Sequence, residues 1–303
     1  MKTHLTSPPA HAVHEIQASD GSTLTVRDWG EPGQPPVVFH HGLPAGGLKV
    51  PGGWAALGEL PCRVITFDRP GFSGTPPRPG RSVSSAAAWS EAIADALSLG
   101  RFAVMGTSGG GPYAAAAAAL LPDRVSRLCI SVGVGPPDVE GFDIRDHVMP
   151  QTRAEIDLVR RGEPALRRYV DEALAQGAPL EPWLSQIAEP DVEVLSRAEV
   201  RFEEQAAGPD WLTQSPEGWI DDDLALVARP WGFDLATIVA PTVLLYGRQD
   251  ILVPPAHGEA YQQAIPHADL FVLDGAGHWM RDYEPEALRW LIADSLEAPD
   301  FVL

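Results

Sequence analysis

Short apolar runs and helical patterns alternate along the first third of the chain. Residues 13–16 and 23–29 alternate apolar and polar side chains, which is typical of half-buried antiparallel strands. Continuous apolar runs follow at 37–39, 64–67 and 102–105, each followed by a glycine-containing turn and then by a helical pattern. Such runs are expected of parallel strands that are buried on both faces. The pattern therefore predicts an α/β fold built on a mostly parallel sheet.

Strand-like runs and helical patterns also alternate in the rest of the chain. Residues 84–99 carry apolar side chains at helical spacing and predict a crossover helix between two of the strands. Further strands are predicted at 128–132, 243–246 and 270–273. Residues 285–295 predict a closing helix with a proline in its first turn, where the missing N–H costs nothing. Helices should therefore flank the sheet.

A long segment without strand-like runs separates two of the predicted strands. Residues 136–229 contain helical patterns instead, among them 152–161, which opens on a Thr152-x-x-Glu155 capping box, and 165–175. Open α/β sheets bind ligands at the carboxyl ends of their strands, and an insertion there can cover the site. We therefore predict a catalytic core at 1–135 and 230–303 with a helical cap at 136–229. The alternative is a helical subdomain that contacts no site.

Charge narrows the range of partners. Apolar residues make up 45% of the chain, enough for a large core, and the formal net charge is −19. Such a charge repels nucleic acid and anionic membranes, which leaves a small-molecule substrate as the expected partner. The amino terminus has no apolar segment, and the longest plain apolar run, 114–121, is too short to cross a bilayer. We expect a soluble, cytoplasmic protein that is a monomer or weak homodimer.

Cysteine and histidine give no sign of a metal site. Cys62 and Cys129 have no partner at ligand spacing and are expected to be buried thiols. His40 and His41 are adjacent, so they would project to opposite sides of an extended chain. We expect them to position a loop, and we expect neither a metal nor a cofactor.

One serine lies in the context that a nucleophile requires. Gly106-Thr107-Ser108-Gly109-Gly110 comes directly after the strand 102–105 and directly before the helical run 113–121. A sharp strand-to-helix turn lifts the serine hydroxyl clear of the sheet and tolerates only small residues on either side. The similar segment around Ser73 lies among prolines with no helix after it, so Ser73 is predicted to be a turn residue.

A nucleophilic serine needs a base, and the base needs an orienting acid. His278 follows the strand 270–273 in a glycine-containing loop and is the predicted base. Asp250 follows the strand 243–246 and is the favoured acid, while Asp138, after the strand 128–132, is the alternative. The order Ser, Asp, His along the chain is the one expected of α/β-hydrolases.

Two backbone amides are candidates for an oxyanion hole. Gly109 follows the serine at the start of a helix, whose positive end favours an anion. Gly42 permits a turn after the strand 37–39, and the N–H of Leu43 could then point towards the developing oxyanion.

Together these segments resemble the α/β-hydrolase superfamily, in its capped esterase, lipase and peptidase branch. The matching segments span nearly the whole chain and are His41-Gly42-Leu43-Pro44, Phe67-Asp68-Arg69-Pro70-Gly71-Phe72-Ser73-Gly74, Gly106-Thr107-Ser108-Gly109-Gly110-Gly111-Pro112, Gly247-Arg248-Gln249-Asp250 and Gly277-His278-Trp279. The resemblance implies Ser108 as nucleophile, His278 as base and Asp250 as acid. It also implies the amides of Leu43 and Gly109 as oxyanion donors.

The resemblance implies an eight-stranded, mostly parallel sheet flanked by helices, with an inserted helical cap. In that sheet two strands would separate the strand that begins near Cys62 from the strand that holds Cys129. At about 4.8 Å per strand the two sulfurs would lie about 14 Å apart, beyond disulfide reach. Family members with an aspartate nucleophile are disfavoured because Ser108 occupies the turn.

The implied activity is hydrolysis of a small carboxylic ester through an acyl-enzyme on Ser108, as in a carboxylesterase. Four alternatives stay open: an aminopeptidase or amidase of the proline iminopeptidase type, a carbon–carbon bond hydrolase, a cofactor-free perhydrolase, and a catalytically silent small-molecule receptor.

Substrate contacts are expected from the predicted cap. Trp183, Trp211 and Trp219, together with Trp279 next to His278, are candidates for an apolar pocket, although helix-spaced aromatics often form core. Carboxylates at 221–223 and 203–204 could hold a substrate ammonium, as in an aminopeptidase, but a solvated acidic face is the favoured interpretation.

Overall fold

A single sheet organises the protein. The computed structural model describes residues 7–176, 185–212, 215–295 and 297–301. Within these ranges eight strands lie side by side in the order β1-β2-β4-β3-β5-β6-β7-β8. Their bounds are β1 Ala12–Gln17, β2 Thr23–Trp29, β3 Pro36–His40, β4 Arg63–Asp68, β5 Phe102–Thr107, β6 Val125–Ser131, β7 Thr242–Gly247 and β8 Ala268–Leu273. All the predicted strands are therefore confirmed.

Strand direction also follows the hydrophobic pattern. The two alternating segments, β1 and β2, pair antiparallel, and β2 pairs antiparallel with β4. Strands β3 to β8 are parallel to one another, and β4, β5 and β7 are almost completely buried. The continuous apolar runs thus became parallel strands because helices cover both of their faces.

Helices pack on both faces of the sheet and across its carboxyl edge. They are α1 Trp54–Glu59, α2 Ser85–Ala96, α3 Gly111–Leu120, α4 Pro150–Arg160, α5 Glu163–Ala175, α6 Glu189–Ser196, α7 Ala198–Leu212, α8 Glu217–Asp223, α9 Pro255–Ala264 and α10 Glu284–Ile292. A π-helical turn, Leu224–Ala228, continues α8. One apolar cluster that includes Trp89 and Tyr113 fills one face, and another that includes Trp54 and Trp290 fills the opposite face.

The predicted capping box is wrong. Helix α4 begins at Pro150, whose fixed φ suits a first helical turn, so Thr152 lies inside the helix. The Glu155 carboxylate accepts a hydrogen bond from Trp219 Nε1 at 2.9 Å instead of capping.

Between β6 and β7 the described residues form helices and no strand. Val159, Leu166, Val170, Ile220 and Leu224 make a small apolar cluster of their own there. A separate cluster of this kind is consistent with a cap, and the boundaries at 136 and 229 stay a prediction.

Both cysteines are buried free thiols, as predicted. Strands β3 and β5 lie between β4, which begins next to Cys62, and β6, which holds Cys129. Burial raises the pKa of Cys62 to about 11, so neither geometry nor acidity suits it to chemistry. Among the described helices, none is long and apolar enough to cross a membrane.

Candidate active site

The predicted chemical groups lie at one edge of the sheet. Strands β3, β5, β7 and β8 run parallel, so their carboxyl ends share an edge. Leu43 follows β3, Ser108 follows β5, Asp250 follows β7 and His278 follows β8. This edge is where open α/β sheets bind their ligands.

Ser108 lies on a strained turn. Its φ is 52°, a left-handed value that is uncommon for a residue with a side chain and costs on the order of 1–3 kcal/mol. A side chain at Gly106 would overlap the carbonyl of Gly110, and one at Gly110 would overlap the carbonyl of His40. Small residues on both sides of Ser108 are therefore required by close backbone packing, as the motif predicts.

The two predicted oxyanion donors belong to segments in direct contact. A Cβ added at Gly109 would lie 2.8 Å from Leu43 Cβ and 3.5 Å from the Leu43 nitrogen. A Cβ added at Gly42 would lie 3.3 Å from Ser108 Cβ. The loop after β3 therefore packs on the serine turn, and the role of its amides stays a prediction.

Asp250 and His278 are joined. His278 Nδ1 lies 2.7 Å from Asp250 Oδ2, and Asp250 Oδ1 accepts from the backbone amides of Leu252 at 2.8 Å and Val253 at 2.9 Å. The carboxylate is therefore fixed by its own loop. If the His278 proton sits on Nδ1, where the carboxylate accepts it, Nε2 is left as the basic nitrogen.

Backbone contact between neighbouring loops brings this pair together. The amide of Gln249 donates to the carbonyl of Ala276 at 2.9 Å. A side chain at Gly247 would overlap the carbonyl of Gly277, so only glycine permits this approach.

The structure separates the two candidate acids. Asp138 is exposed on the segment after β6, whereas Asp250 is 3% exposed and bonded to His278. Asp250 is thus the acid that contacts the predicted base.

The protonation of His278 should set the acid side of the pH profile. Burial alone would lower its pKa, but the Asp250 carboxylate, with smaller contributions from Asp191 and Glu284, outweighs burial and raises the pKa above 6.5. A base must be neutral to accept a proton, so kcat/KM should rise with pH and reach half its maximum above about pH 6.5. A profile that stays flat down to about pH 4 would contradict His278 as the base.

Asp191 is a site residue that sequence reasoning missed. It lies on α6, is fully buried, and accepts a hydrogen bond from the Trp279 amide at 2.8 Å. A side chain at Gly277 would overlap the Asp191 carboxylate. Asp191 thus holds the loop that carries His278, and its place in an ordinary helical pattern 87 residues upstream of His278 gives no sequence signal.

Two substitutions distinguish the role of Asp191 as a hydrogen-bond acceptor from the effect of its negative charge on His278. Asp191→Asn keeps an oxygen for the Trp279 amide but removes a negative charge near His278, so it should lower the pKa of His278 and move the acid limb to lower pH. Asp191→Ala also removes the acceptor and should lower kcat by about tenfold. A pH profile of kcat/KM for both variants measures this, and an unmoved limb in Asp191→Asn would exclude electrostatic coupling.

The four candidate tryptophans have different surroundings. Trp183 and the side chain of Trp211 lie outside the described residues. Trp219 belongs to the small cluster around Val159, with its Nε1 bonded to Glu155, so it acts as core there. The Trp279 ring lies 5.3 Å from the ring of His278, the predicted base.

The acidic stretch at 221–223 is not a solvated face, so that prediction is wrong. Asp221, Asp222 and Asp223 are 4%, 0% and 7% exposed. Arginines from outside the predicted cap pair with two of them: Arg69 and Arg81 pair with Asp222, and Arg81 also pairs with Asp221. The carboxylates at 203–204 also form ion pairs.

Ion pairs occupy the carboxylates of residues 203 and 204. Glu203 pairs with Arg281, and Glu204 pairs with Lys49. These pairs connect α7 to segments near the sheet edge.

Comparison with known proteins gives the family. The model of the alpha/beta hydrolase fold family matches residues 35–285, and the chain belongs to that family. The fold and the spatial arrangement of the serine, aspartate and histidine described above agree with this membership.

Curated relatives cover nearly the whole chain. A 2-hydroxymuconate semialdehyde hydrolase from Pseudomonas putida is 29% identical over 94% of this chain and 94% of its own length. A 2-hydroxy-6-oxo-2,4-heptadienoate hydrolase from Pseudomonas putida is 28% identical over 88% and 90%. Among solved structures, a thermophilic esterase from Thermogutta terrifontis has a TM-score of 0.66 at 23% identity, over 93% of this chain and all of its own, which shows the shared fold.

Proposed function

We propose that the chain is a serine hydrolase that cleaves a carbon–carbon bond beside a carbonyl group, with Ser108 as nucleophile. The observation that carries the proposal is the bonded pair of Asp250 and His278 at the sheet edge on which the strained turn of Ser108 also lies. The relatives named for hydrolysis of 2-hydroxymuconate semialdehyde and 2-hydroxy-6-oxo-2,4-heptadienoate support the type of bond.

The proposed reaction proceeds in two steps. His278 Nε2 accepts the Ser108 proton while the serine oxygen attacks the carbonyl, and the amides of Leu43 and Gly109 stabilise the oxyanion. Before this bond breaks, the 2-hydroxydienoate part of the substrate takes its 2-oxo form, in which the enol proton has moved to the carbon next to the attacked carbonyl. The oxyanion then collapses, and the carbon–carbon bond breaks with its electron pair on the departing carbon, where the 2-oxo group, conjugated through the remaining double bond, stabilises the charge. Protonated His278 returns a proton to that carbon. Water, activated by His278, then releases the acyl group as a carboxylic acid and restores Ser108.

Ester hydrolysis is the second candidate, because the same groups cleave an ester when the leaving group is an alcohol. The aminopeptidase alternative loses support, because Asp221 and Asp222 are paired with arginines and cannot hold a substrate ammonium as free carboxylates. A receptor function loses support too, because the Asp250–His278 bond is retained. The chemistry requires no metal or cofactor.

A direct comparison of substrates tests the proposal. The purified chain would be assayed with 2-hydroxymuconate semialdehyde and 2-hydroxy-6-oxo-2,4-heptadienoate, with p-nitrophenyl esters of increasing chain length, and with alanine and proline p-nitroanilides. We expect kcat/KM on one of the dienoates to exceed that on the best ester by roughly 100-fold, since specificity is differential transition-state binding. A higher kcat/KM on an ester than on either dienoate would indicate a carboxylesterase instead. A higher kcat/KM on an anilide would indicate an aminopeptidase.

A further inference from the structure

A buried arginine contacts the carbonyl oxygen of the peptide group between Gly42 and Leu43, whose N–H is a predicted oxyanion donor. Arg69 is fully buried, and its Nη2 donates to the carbonyl of Gly42 at 2.9 Å, while its Nη1 donates to the carbonyl of His41 at 2.5 Å. The carbonyl of Gly42 belongs to the same peptide group as the N–H of Leu43. Arg69 therefore binds the oxygen of the group whose N–H is the predicted oxyanion donor.

Asp222 fixes the position and charge of this arginine. Its Oδ2 accepts from Arg69 Nε at 2.9 Å and Nη2 at 2.6 Å, and its Oδ1 accepts from Arg81 at 2.6 Å and from the Tyr113 hydroxyl at 2.7 Å. Burial alone would raise the pKa of Asp222, but the two guanidinium groups outweigh burial and lower the pKa to about 2. The carboxylate is therefore ionised at every working pH, and Arg69 has a permanent counter-ion.

His41 supplies a second donor to the same oxygen. Its Nδ1 lies 2.8 Å from the carbonyl of Gly42, and its Nε2 accepts from the Arg69 amide at 3.4 Å. Burial, followed by the charge of Arg69, lowers the pKa of His41 well below 6.5, so the ring is neutral and carries one proton. Because Nε2 acts as an acceptor, this proton belongs on Nδ1, and Nδ1 donates to Gly42.

We infer that Arg69 and His41 polarise the peptide between Gly42 and Leu43 and so strengthen the Leu43 N–H as a donor to the oxyanion. That peptide is trans, so its C=O and N–H point in opposite directions. Two hydrogen bonds to the oxygen, one of them from a cation, draw electron density from the nitrogen. The inference rests on the proposed function and makes Arg69 and His41 positioning residues, since both are buried and act through the peptide group.

A charge-balanced variant tests this inference. Arg69→Met combined with Asp222→Asn removes one cation and one anion together. Arg81, the other partner of Asp222, keeps its ion pair with Asp221, so no buried charge is left unpaired. We expect kcat to fall by about 10- to 100-fold with KM within about threefold, and the affinity for a trifluoromethyl ketone, which forms an oxyanion on the serine, to fall by a similar factor. Tyr113→Phe is the matched control, because it removes a different partner of Asp222 and should keep kcat within about threefold.

Several outcomes decide the inference. A folded double variant with unchanged kcat and unchanged ketone affinity would overturn the inference. Losses of kcat and ketone affinity in Tyr113→Phe as large as those in the double variant would overturn it too. If the double variant does not fold, Arg69→Lys serves instead, since lysine keeps the charge but cannot reach Asp222 and both carbonyls with a fork of donors. A loss of about tenfold in kcat and in ketone affinity supports the inference, and no loss overturns it. A wild type on which the ketone forms no adduct at Ser108 would instead contradict the proposed function.

Discussion

Replacing Ser108 with alanine should lower kcat by about 10⁴-fold or more on whichever substrate the wild type turns over. The strained turn at φ 52° presents this residue at the sheet edge beside the loop of Gly42 and Leu43. Without its oxygen no acyl-enzyme can form, and the remaining groups can only bind substrate and polarise its carbonyl. KM should change little, because a hydroxyl contributes little to ground-state binding. Steady-state kinetics on the purified variant measure both quantities.

Ser73 provides the matched control for this substitution. It also has a left-handed φ, 47°, and lies in a glycine-flanked segment similar to the nucleophile motif. The structure confirms that Ser73 is a turn residue, and it follows β4 rather than β5. Ser73→Ala should keep kcat within about threefold, because Ser73 is half-buried and hydrogen-bonds to the buried Asp68, so its loss acts mainly on stability. Equal losses in both variants would mean that Ser108 acts through folding and not through chemistry.

The second large effect is expected at the acid. Asp250→Asn should lower kcat by about 10³- to 10⁴-fold near neutral pH, because the amide can donate to His278 Nδ1 and so favour the tautomer with its proton on Nε2. That tautomer cannot accept the Ser108 proton. The present geometry, 2.7 Å from Asp250 Oδ2 to His278 Nδ1, is what makes the position sensitive. Rates measured at several pH values would separate a lost base from lost folding.

Asp138→Asn is the control for the acid. Asp138 is exposed, so its substitution should leave kcat within about twofold. A large loss in Asp138→Asn with a small loss in Asp250→Asn would reverse the assignment and require the segment after β6 to move towards His278.

Local patterns explain why much of the fold and site could be predicted. Parallel strands that are buried on both faces have continuous apolar sequences, and β4, β5 and β7 could be predicted for that reason. The turns after parallel strands are also local, so Ser108, Asp250 and His278 could be predicted as candidates from the few residues around them.

The contacts that sequence reasoning missed join residues far apart in the chain. Asp222 lies 153 residues from Arg69, and the run of three aspartates therefore looked like a solvated face. Asp191 lies 88 residues from the Trp279 amide that it binds. A carboxylate can be buried only where partners compensate for its desolvation. The sequence around the carboxylate does not indicate which distant residues those partners are.

The type of bond that is cleaved could not be read from the site alone. The same triad cleaves esters, amides and carbon–carbon bonds, and the choice depends on pocket shape and on the leaving group. The sequence favoured a carboxylic ester, whereas two curated relatives that match about nine-tenths of the chain are named as a 2-hydroxymuconate semialdehyde hydrolase and a 2-hydroxy-6-oxo-2,4-heptadienoate hydrolase. We therefore place carbon–carbon bond hydrolysis before ester hydrolysis in the proposal.

The role of Ser108 as nucleophile is tested by finding where a serine-directed probe forms its covalent bond. The wild type and Ser108→Ala would be treated with a fluorophosphonate, and the modified peptide would be identified by mass spectrometry. We predict one adduct per chain in the wild type, on Ser108, with loss of activity in proportion to labelling, and no adduct in Ser108→Ala. Equal labelling of Ser108→Ala, or an adduct on another residue that accounts for the lost activity, would show that Ser108 is not the nucleophile.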